Sequence, residues 1–366
     1  MDSRAPLRVV HVGFDLDRQQ REPEALLVAW PTLPAVAIAC ARAGVRVDVV
    51  QPAHRDQIIE RDGVVFHFVE EKQLASRVGS LSPAVVHVNG LNHPMNVCRL
   101  IGALNDSRVL LQDHGTIEPN GWRRMAWRFA YRSISGVAFT SREQARPYFE
   151  HGVFRKDLSV FEIIESSSTF CPGDQAAARA STGMTGDPCI LWTGRLDANK
   201  DPLTALAAFE LVTHELPGAR LYCCFGDAPL LEQVRRRIAD SAQLRDRVEL
   251  VGARPHEELE SRFRAADFFL QTSHREGSGY SLIEALACGT TPLVTDIPSF
   301  RKIVGRAGSI TPIGNAIALA QQIVVWASRD RAALRIAARA RFDAALTFDA
   351  IGRDLRAAYE QVASAK

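Results

Sequence analysis

The chain has 366 residues, which is too many for one ordinary core and enough for two domains of usual size. Hydrophobic residues make up 46% and charged residues 23%, the composition of a globular protein rather than of a disordered one. The formal net charge of +2 excludes a strong overall attraction to nucleic acid or anionic lipid.

Residues 1–14 lead directly into the first predicted strand and lack the apolar stretch and cleavage site of a signal peptide. The seven cysteines are scattered, without a CxxC pair or zinc-site spacing, so we expect reduced thiols and a cytoplasmic protein. One apolar stretch, 25–41, approaches the lower length limit for a membrane span, about 17 residues. Because Pro31 and Pro34 interrupt it, we predict a buried loop followed by a helix.

Short runs rich in β-branched residues recur along the first half of the chain, each followed by a segment with a helical pattern. Strands and helices that alternate at this spacing predict a parallel sheet with helices on both faces. The predicted strands are 8–12, 45–50, 64–69, 84–88, 108–111 and 136–140.

The segment 121–136, GWRRMAWRFAYRSISG, carries Arg124, Arg128 and Arg132 at fourfold spacing, interleaved with aromatic residues. Such a helix could rest peripherally on anionic lipid at the inner face of a membrane, or hold a phosphorylated acceptor. An ordinary helix with one solvated basic stripe and one core face explains the same pattern. The sequence leaves both interpretations open.

The second half repeats the alternation, and its apolar runs such as LYCCF fit strands that are buried on both faces. A Ser/Pro/Gly-rich stretch at 165–174 separates the halves, so we predict two doubly wound α/β domains, 1–168 and 169–345. The final segment within 346–366 is predicted to form an amphipathic helix over 348–363. The strands predicted in the second half are 189–193, 220–225, 247–251, 267–272 and 291–295.

The strongest chemical signal is the segment 275–289, REGSGYSLIEALACG, which follows an apolar predicted strand. Gly277 and Gly279 allow a tight turn, and a glycine turn that opens a helix is suited to bind a diphosphate. Glu276 and Glu284 flank this turn; in a continuous helix they would lie about 12 Å apart. That separation is too large for a carboxylate dyad and suits contacts at the two ends of a nucleotide-sugar. Either carboxylate alone is also explained as an ordinary residue favoured by the helix dipole.

A second signal lies at 190–201, ILWTGRLDANKD, where a buried predicted strand ends at Gly194 and a loop precedes the next helix. Arg195 and Lys200 lie in this loop, and Arg offers a planar fork for phosphate oxygens while Lys offers a mobile point charge. Because the sequence contains no metal motif, we expect these cations to neutralise a leaving diphosphate without a metal ion or other cofactor. Taken alone, both residues are also explained as surface charges.

Four segments occur in the order found in the family 4 retaining glycosyltransferases: GRLDANK, FGD, VELVGARP and EGSGYSLIEALACG. The chain resembles that family over nearly all of its C-terminal half, and Glu276 and Glu284 match the family's Glu–seven residues–Glu signature. The N-terminal half is less similar, with VVHVNG, DHG and FTSREQ at corresponding places. The resemblance implies the GT-B fold: two Rossmann-like doubly wound parallel-sheet domains that face a central cleft. The first domain would be on the acceptor side, the second would bind the donor, and the last helix would pack back on the first.

The resemblance also implies roles for individual residues. Arg195 and Lys200 would hold the donor diphosphate, Glu276 would contact the transferred sugar, and Glu284 would bind ribose. His114 matches a family histidine near the sugar and acceptor, although a structural histidine explains it equally well. The residues implied in catalysis are Glu276, Arg195, Lys200 and His114. The residues implied in donor binding are Gly13, Arg195, Lys200, Gly226, Gly252, Arg254, Glu276, Gly277, Ser278, Gly279, Tyr280, Ser281 and Glu284.

Two departures from the family pattern concern these loops. The family often has a glycine pair after the first strand, where this chain has only Gly13. The glycine that commonly follows the phosphate lysine is replaced by Asp201.

The implied reaction is transfer of a hexose-type sugar from a nucleoside diphosphate to a hydroxyl acceptor, with retention of configuration. A glycan, a glycolipid or a small-molecule glycoside would all serve as acceptor, and no nucleic-acid partner is expected. One alternative is a catalytically silent GT-B module that acts as the partner of an active enzyme. Another is a different GT-B enzyme, such as a nucleotide-sugar epimerase. The retained charged residues favour an active transferase over the silent module.

Overall fold

The computed structural model describes residues 6–364. The chain divides into two compact units, one formed by the residues up to Ser167 together with those from Thr347 onward, the other by Ser168–Leu346. The predicted domain limits at 168 and 345 differ from these divisions by one residue. The ends of the predicted domains, 1–5 and 365–366, lie outside the described residues.

The first unit is built on one eight-stranded sheet. Its strands are β1 (Arg8–Val12), β2 (Arg46–Pro52), β3 (Gln57–Arg61), β4 (Val64–Val69), β5 (Val85–Asn89), β6 (Arg108–Gln112), β7 (Gly136–Phe139) and β8 (Ser159–Glu162). They are ordered β3-β4-β2-β1-β5-β6-β7-β8, and within residues 6–364 only β3 runs antiparallel to its neighbour. The residues of β1 and β5 are almost all buried, as expected for parallel strands covered on both faces.

Among residues 6–364, seven α-helices belong to the first unit, and the last of them follows the second unit in the sequence. They are α1 (Pro23–Ala29), α2 (Thr32–Arg42), α3 (Leu74–Ser80), α4 (Pro94–Gly102), α5 (Gly121–Ala130), α6 (Arg142–Glu150) and α16 (Phe348–Ser364), with a short 3-10 turn at Glu71–Gln73. Helix α16 packs against α2, β5 and β6. Gly352 allows the close contact with α2, because a Cβ atom there would lie 2.4 Å from the Ala39 carbonyl oxygen. The Tyr359 hydroxyl lies 2.9 Å from His11 Nε2 and 2.6 Å from His87 Nδ1 in the core of the unit.

The second unit is built on six parallel strands in the order β11-β10-β9-β12-β13-β14. These strands are β9 (Cys189–Thr193), β10 (Arg220–Cys224), β11 (Val248–Gly252), β12 (Phe268–Gln271), β13 (Thr291–Thr295) and β14 (Ser309–Thr311). The helices are α7 (Gln175–Thr182), α8 (Pro202–Glu215), α9 (Leu231–Ala239), α10 (Ala242–Arg245), α11 (His256–Ala265), α12 (Tyr280–Ala287), α13 (Pro298–Val304), α14 (Ala316–Ala327) and α15 (Arg331–Ala345).

Strand β9 lies between β10 and β12, so the strand order of the second unit changes direction at β9. Loops that leave the carboxyl ends of the strands on either side of such a point separate and leave a crevice. The loop after β9 carries Arg195 and Lys200, and the loop after β12 carries Glu276. The topology therefore places the two strongest sequence motifs beside each other.

The sequence prediction missed three short strands, β3, β8 and β14. Each lies at the edge of its sheet and is short or partly exposed, so the continuous apolar run that marks a buried strand is absent. The seven cysteines are all free, as predicted.

The apolar stretch 25–41 forms helices α1 and α2 rather than a loop and one helix, so the predicted loop is wrong. The two helices meet at an angle of 87° where Pro31 precedes α2. Among residues 6–364, no single helix has the length and apolar composition needed to cross a membrane; α1 and α2 meet those criteria only as a bent pair.

Candidate active site

Asp197 organises the loop after β9. Its carboxylate accepts a hydrogen bond from the backbone N–H of Lys200 at 2.9 Å and forms an ion pair with Arg195 at 2.8 Å. Leu196 is fully buried, and its N–H donates to the Asp227 carbonyl at 2.9 Å. The loop is thus fixed to the core, while the Arg195 side chain stays 59% exposed and accessible to an anion.

Asp201 occupies a backbone conformation that favours glycine. Its φ is 45°, in the left-handed region, and its carboxylate caps α8 by accepting from the Thr204 N–H at 3.1 Å. Aspartate tolerates this conformation better than most residues with a side chain. The replacement of the family's glycine at this position is therefore compatible with the fold. The carboxylate also lies 3.0 Å from His274 Nε2.

Lys200 and Glu276 join the loops after β9 and β12. Lys200 Nζ lies 2.5 Å from Glu276 Oε1, and the two side chains are only 17% and 14% exposed. The Thr272 hydroxyl lies 2.8 Å from the Lys200 carbonyl oxygen, and the Asn199 amide donates to the Arg275 carbonyl at 3.0 Å. The structure therefore brings a cation and a carboxylate predicted from separate motifs into direct contact.

The glycine turn leads directly into α12. Gly279 has a φ of 84° and is the residue before the helix, and a Cβ atom there would lie 2.7 Å from the ring of Phe300. Ser278 is buried, and Tyr280 and Ser281 form the first turn of α12. A glycine turn that opens a helix is suited to bind an anion. Glu276 and Gly277 precede the helix, so the segment between the two glutamates is not one continuous helix.

Glu284 contacts a histidine that the sequence did not single out. His256 Nε2 lies 2.7 Å from Glu284 Oε1, and the ring of Phe170 lies 4.6 Å from the His256 ring. The hydrogen bond to the Glu284 carboxylate raises the pKa of His256 above its usual 6.5. The Glu284 side chain is only 12% exposed, whereas that of His256 is 64% exposed. His256 directly follows the VELVGARP segment and lies 28 residues before Glu284 in the sequence. A local sequence pattern could not have predicted this contact.

Gly226, Gly252 and Arg254, which the sequence predicts to bind the donor, lie on two adjoining loops of the second unit. Gly252 ends β11 with a φ of 77°. Its carbonyl oxygen accepts a hydrogen bond at 3.1 Å from the N–H of Phe225, the residue before Gly226. Arg254 extends from the same loop, and its Nε lies 3.9 Å from the Glu258 carboxylate. These contacts join the loops after β10 and β11.

Gly13 and His114 belong to the first unit, at the carboxyl ends of β1 and β6. The Gly13 N–H donates to the Val50 carbonyl at 3.3 Å. Burial lowers the pKa of His114 to about 4, against the nearby Asp15 carboxylate, which raises it. His114 Nε2 is buried and has no hydrogen-bond partner among residues 6–364. A neutral imidazole with one unsatisfied nitrogen can therefore interact with a ligand hydroxyl.

Within the described part of the chain, no three His, Cys, Asp or Glu side chains converge in a cluster that could hold a metal ion. The charged groups of the second unit's candidate site are the Arg195–Asp197 pair, the Lys200–Glu276 pair and Glu284 with His256. The arrangement can present cations and helix amides to an anion, and carboxylates to hydroxyl groups.

Residues 174–342 match the family model described as glycosyl transferases group 1, which covers nearly all of the second unit. A curated relative, the GDP-mannose:cellobiosyl-diphosphopolyprenol alpha-mannosyltransferase of Xanthomonas oryzae pv. oryzae, is 25% identical over 233 residues, 62% of this chain. That match spans 60% of the relative, less than two thirds of its length.

Two solved structures resemble the whole chain. Sucrose-phosphate synthase from Thermosynechococcus elongatus has a TM-score of 0.69 at 21% identity and covers 98% of this chain and 100% of its own. Anabaena HepE, solved in complex with UDP and glucose, has a TM-score of 0.68 at 16% identity and covers 97% and 100%. The fold is therefore of the GT-B type, and the second unit matches the glycosyl transferases group 1 family model.

Proposed function

We propose that this chain is a retaining, metal-independent glycosyltransferase that moves a hexose-type sugar from a nucleoside-diphosphate sugar to a hydroxyl acceptor. The observation that carries the proposal is the contact between Lys200 and Glu276, which joins the loops after β9 and β12. A cation for phosphate and a carboxylate for sugar hydroxyls lie together beside the first amides of α12. A nucleoside-diphosphate sugar presents phosphate and sugar in that order.

The donor is proposed to bind along this edge of the second unit. Arg195 and Lys200 hold the diphosphate, and amides from Gly277 to Ser281 add hydrogen bonds to phosphate and sugar. Glu276 accepts hydrogen bonds from the transferred sugar, and Glu284 accepts them from ribose. The base is bordered by the loops at Gly226 and at Gly252 and Arg254.

In the proposed reaction the bond between the sugar's anomeric carbon and the phosphate oxygen breaks, and a bond from that carbon to the acceptor oxygen forms on the same face. The acceptor proton passes to the leaving phosphate oxygen, so no separate protein base is required. Arg195 and Lys200 stabilise the negative charge that develops on the diphosphate. Such electrostatic stabilisation is usually the largest contribution of a site to the rate enhancement. His114, which burial keeps neutral, is proposed to bind a hydroxyl of the sugar or acceptor.

The acceptor is proposed to bind the first unit and to be a glycan, a glycolipid or a small-molecule glycoside. A cavity of about 550 Å³ at the carboxyl end of β1, lined by Phe14, Asp15, His93 and Asn96 among others, is large enough for a sugar ring. GDP-mannose and UDP-glucose are the first donors to test, because the mannosyltransferase relative is named for the former and HepE was solved with UDP and glucose. We further propose that the reaction takes place in the cytoplasm.

Thermal unfolding with UDP, GDP, ADP, CMP and dTDP and their sugar conjugates, in buffer that contains a chelator, tests the donor site. A ligand at one hundred times its dissociation constant should stabilise the protein by about 2.7 kcal/mol. One nucleotide series should raise the unfolding temperature, and Arg195→Ala and Lys200→Ala should each reduce the shift. The product's anomeric configuration, read by NMR, then tests retention.

Arg236→Ala is the matched control, because Arg236 is an exposed arginine on α9 of the same unit. It should respond to nucleotide as the wild type does. If no nucleotide changes the unfolding temperature of the wild type, the donor assignment is wrong and a catalytically silent module becomes the better explanation. A requirement for divalent metal ions would contradict the proposed use of Arg195 and Lys200 in their place.

A further inference from the structure

Helix α5 exposes a stripe of large apolar side chains directed away from the core. Trp122, Met125 and Phe129 recur at the spacing of one helix face, and their exposed fractions are 79%, 69% and 55%. The same helix buries Trp127 and Ala130 in the core of the first unit. It therefore has two apolar faces, and only one of them is covered.

Positive charge surrounds this exposed stripe. The segment 121–136 contains no Asp or Glu and four arginines: Arg123, Arg124, Arg128 and Arg132. The Arg132 guanidinium lies 4.1 Å from the centre of the Phe129 ring, beside the stripe. Arg123 and Arg128 are exposed and form no ion pair with any residue from 6 to 364.

The loop before α5 extends the same surface. Ile117 is 67% exposed, and Arg124 ties the loop to the helix through the Pro119 carbonyl at 3.3 Å and the Glu118 carboxylate at 3.4 Å. Glu118 is half-buried and also contacts His151, so its carboxylate already has two partners. The surface thus combines exposed aromatic rings with unneutralised arginines.

We propose that this face of α5 docks on the surface of a bilayer that contains anionic phospholipids. Tryptophan and phenylalanine side chains of an interfacial helix enter the boundary between headgroups and acyl chains. Arginines that flank them are attracted to anionic headgroups, and each adds to the affinity. The helix then lies in the plane of the surface while the first unit remains outside the hydrocarbon. This proposal does not depend on transferase activity.

Other occupants fit the surface less well. Two copies of the chain that paired through this face would bring their arginine-rich segments together, and like charges in contact are costly. A nucleic acid would satisfy the arginines but would leave the exposed apolar stripe unexplained. An anionic bilayer satisfies both features at once.

Co-sedimentation with vesicles of phosphatidylcholine, with or without phosphatidylglycerol, tests the proposal. The wild type should bind only the vesicles with phosphatidylglycerol, and less at high salt. Trp122→Ser with Phe129→Ser should lower the partition coefficient by at least about tenfold, because the apolar contribution is lost. Arg123→Gln with Arg128→Gln should lower it by about thirtyfold.

Matched controls lie in the second unit. Ile336→Ser removes a residue that is 72% exposed on α15, and Arg236→Gln with Arg245→Gln removes two exposed arginines. Both variants should bind vesicles as the wild type does. The proposal is wrong if the wild type does not bind, or if the double serine variant binds equally well. A changed oligomeric state of that variant with unchanged vesicle binding would assign the face to a protein partner.

A milder variant keeps the test decisive if the double serine protein does not fold. Brominated phosphatidylglycerol should quench part of the tryptophan fluorescence of the wild type on vesicles. Trp122→Phe keeps an aromatic ring at the surface, so it should still bind while most of that quenching disappears. Equal quenching in both proteins would show that Trp122 does not enter the bilayer.

Discussion

Lys200 and Glu276 are each other's counter-ion in a place where both side chains are largely withdrawn from solvent. Each charge compensates the other, because an unpaired charge would be costly at this degree of burial. The pair also holds both groups at the proposed donor site, so a bound donor has to replace part of the contact between Lys200 and Glu276. The two residues are proposed to bind different parts of the donor, so variants of each residue can separate their contributions.

Lys200→Met should weaken binding of the nucleoside diphosphate by about tenfold to a hundredfold, since a hydrogen bond to a charged group contributes about 1.5–3 kcal/mol. Glu276→Gln should leave that affinity unchanged or tighter, because Lys200 loses its counter-ion and becomes available to phosphate. Calorimetric titration with UDP and GDP measures both. If Glu276→Gln abolishes diphosphate binding, Glu276 positions the phosphate site rather than the sugar.

Glu276→Gln should instead lower the rate of transfer by about a hundredfold, the cost typical of losing a charged contact to the reacting group. The rate is measured with saturating donor once the acceptor is known. A rate equal to that of the wild type would remove Glu276 from the group that contacts the sugar.

The His256–Glu284 pair makes a small part of the stability depend on pH. Because the carboxylate raises the pKa of His256, the folded protein holds this proton more tightly than the unfolded chain does. The stabilisation is fully present below the unfolded pKa of 6.5 and is lost as the pH rises through the higher folded pKa. The exposed imidazole limits the effect to about 1 kcal/mol or less.

This dependence is tested by measuring the unfolding temperatures of the wild type and His256→Gln from about pH 5.5 to about pH 8.5. The window extends about one unit below and about two units above an ordinary histidine pKa. The wild type should be the more stable protein at the acidic end, and the difference should shrink towards the alkaline end. A difference that grows with pH would have the opposite sign and would show that His256 is neutral in the pair.

At the scale of elements, the start of α12 depends on one glycine. Gly279→Ala should destabilise the protein by about 1–3 kcal/mol, because a φ of 84° is strained for alanine and its Cβ would meet the Phe300 ring. Gly226→Ala is the matched control, since a Cβ there meets nothing within 4 Å. Urea denaturation of both variants measures the difference. Equal stability of the two would mean that the turn relaxes without strain.

The main strands and the charged loops could be predicted from sequence because their signals are local. Strand β9 is a continuous apolar run, and Arg195 and Lys200 follow it within a few residues. The contact of Lys200 with Glu276 spans 76 residues and becomes visible only when β9 and β12 are neighbours in the sheet. The resemblance to a family indicated that both residues matter, but not that they form an ion pair.

Other features could not be predicted from sequence patterns, because they too depend on contacts between distant parts of the chain. His256 acquires its partner from another helix, and no local pattern predicts the left-handed backbone from which Asp201 caps α8. On α5 the basic stripe was visible, but periodicity cannot tell which apolar face is covered by the core. The exposed Trp122 and Phe129 were therefore indistinguishable from core residues.

At the scale of the whole molecule, the chain returns to its first unit after completing the second. Residues from Thr347 onward belong with the N-terminal segment, and α16 buries Ile351, Leu355, Tyr359 and Val362 along one face. The first unit's core is thus completed by residues that follow the second unit in the sequence. Its sheet cannot be fully covered until α16 is available.

Truncation after Leu346 should therefore destabilise the first unit and leave the second folded. Removal of α16 exposes the buried face of α2 and leaves the ring nitrogens of His11 and His87 without the Tyr359 hydroxyl. The lost burial of several large side chains amounts to more than about 5 kcal/mol, a large part of the stability of an ordinary domain.

Hydrogen exchange, read for each strand, is the measurement that separates the two units. Amides of β1 and β5 should lose protection in the truncated protein, while amides of β9 and β12 should keep it. Arg353→Ala, a change at an exposed position of α16, is the control and should leave both sheets protected. Uniform loss of protection in all four strands of the truncated protein would mean that the second unit also needs the last helix to fold. Unchanged protection in β1 and β5 would mean that α2 and its neighbours cover the sheet without it.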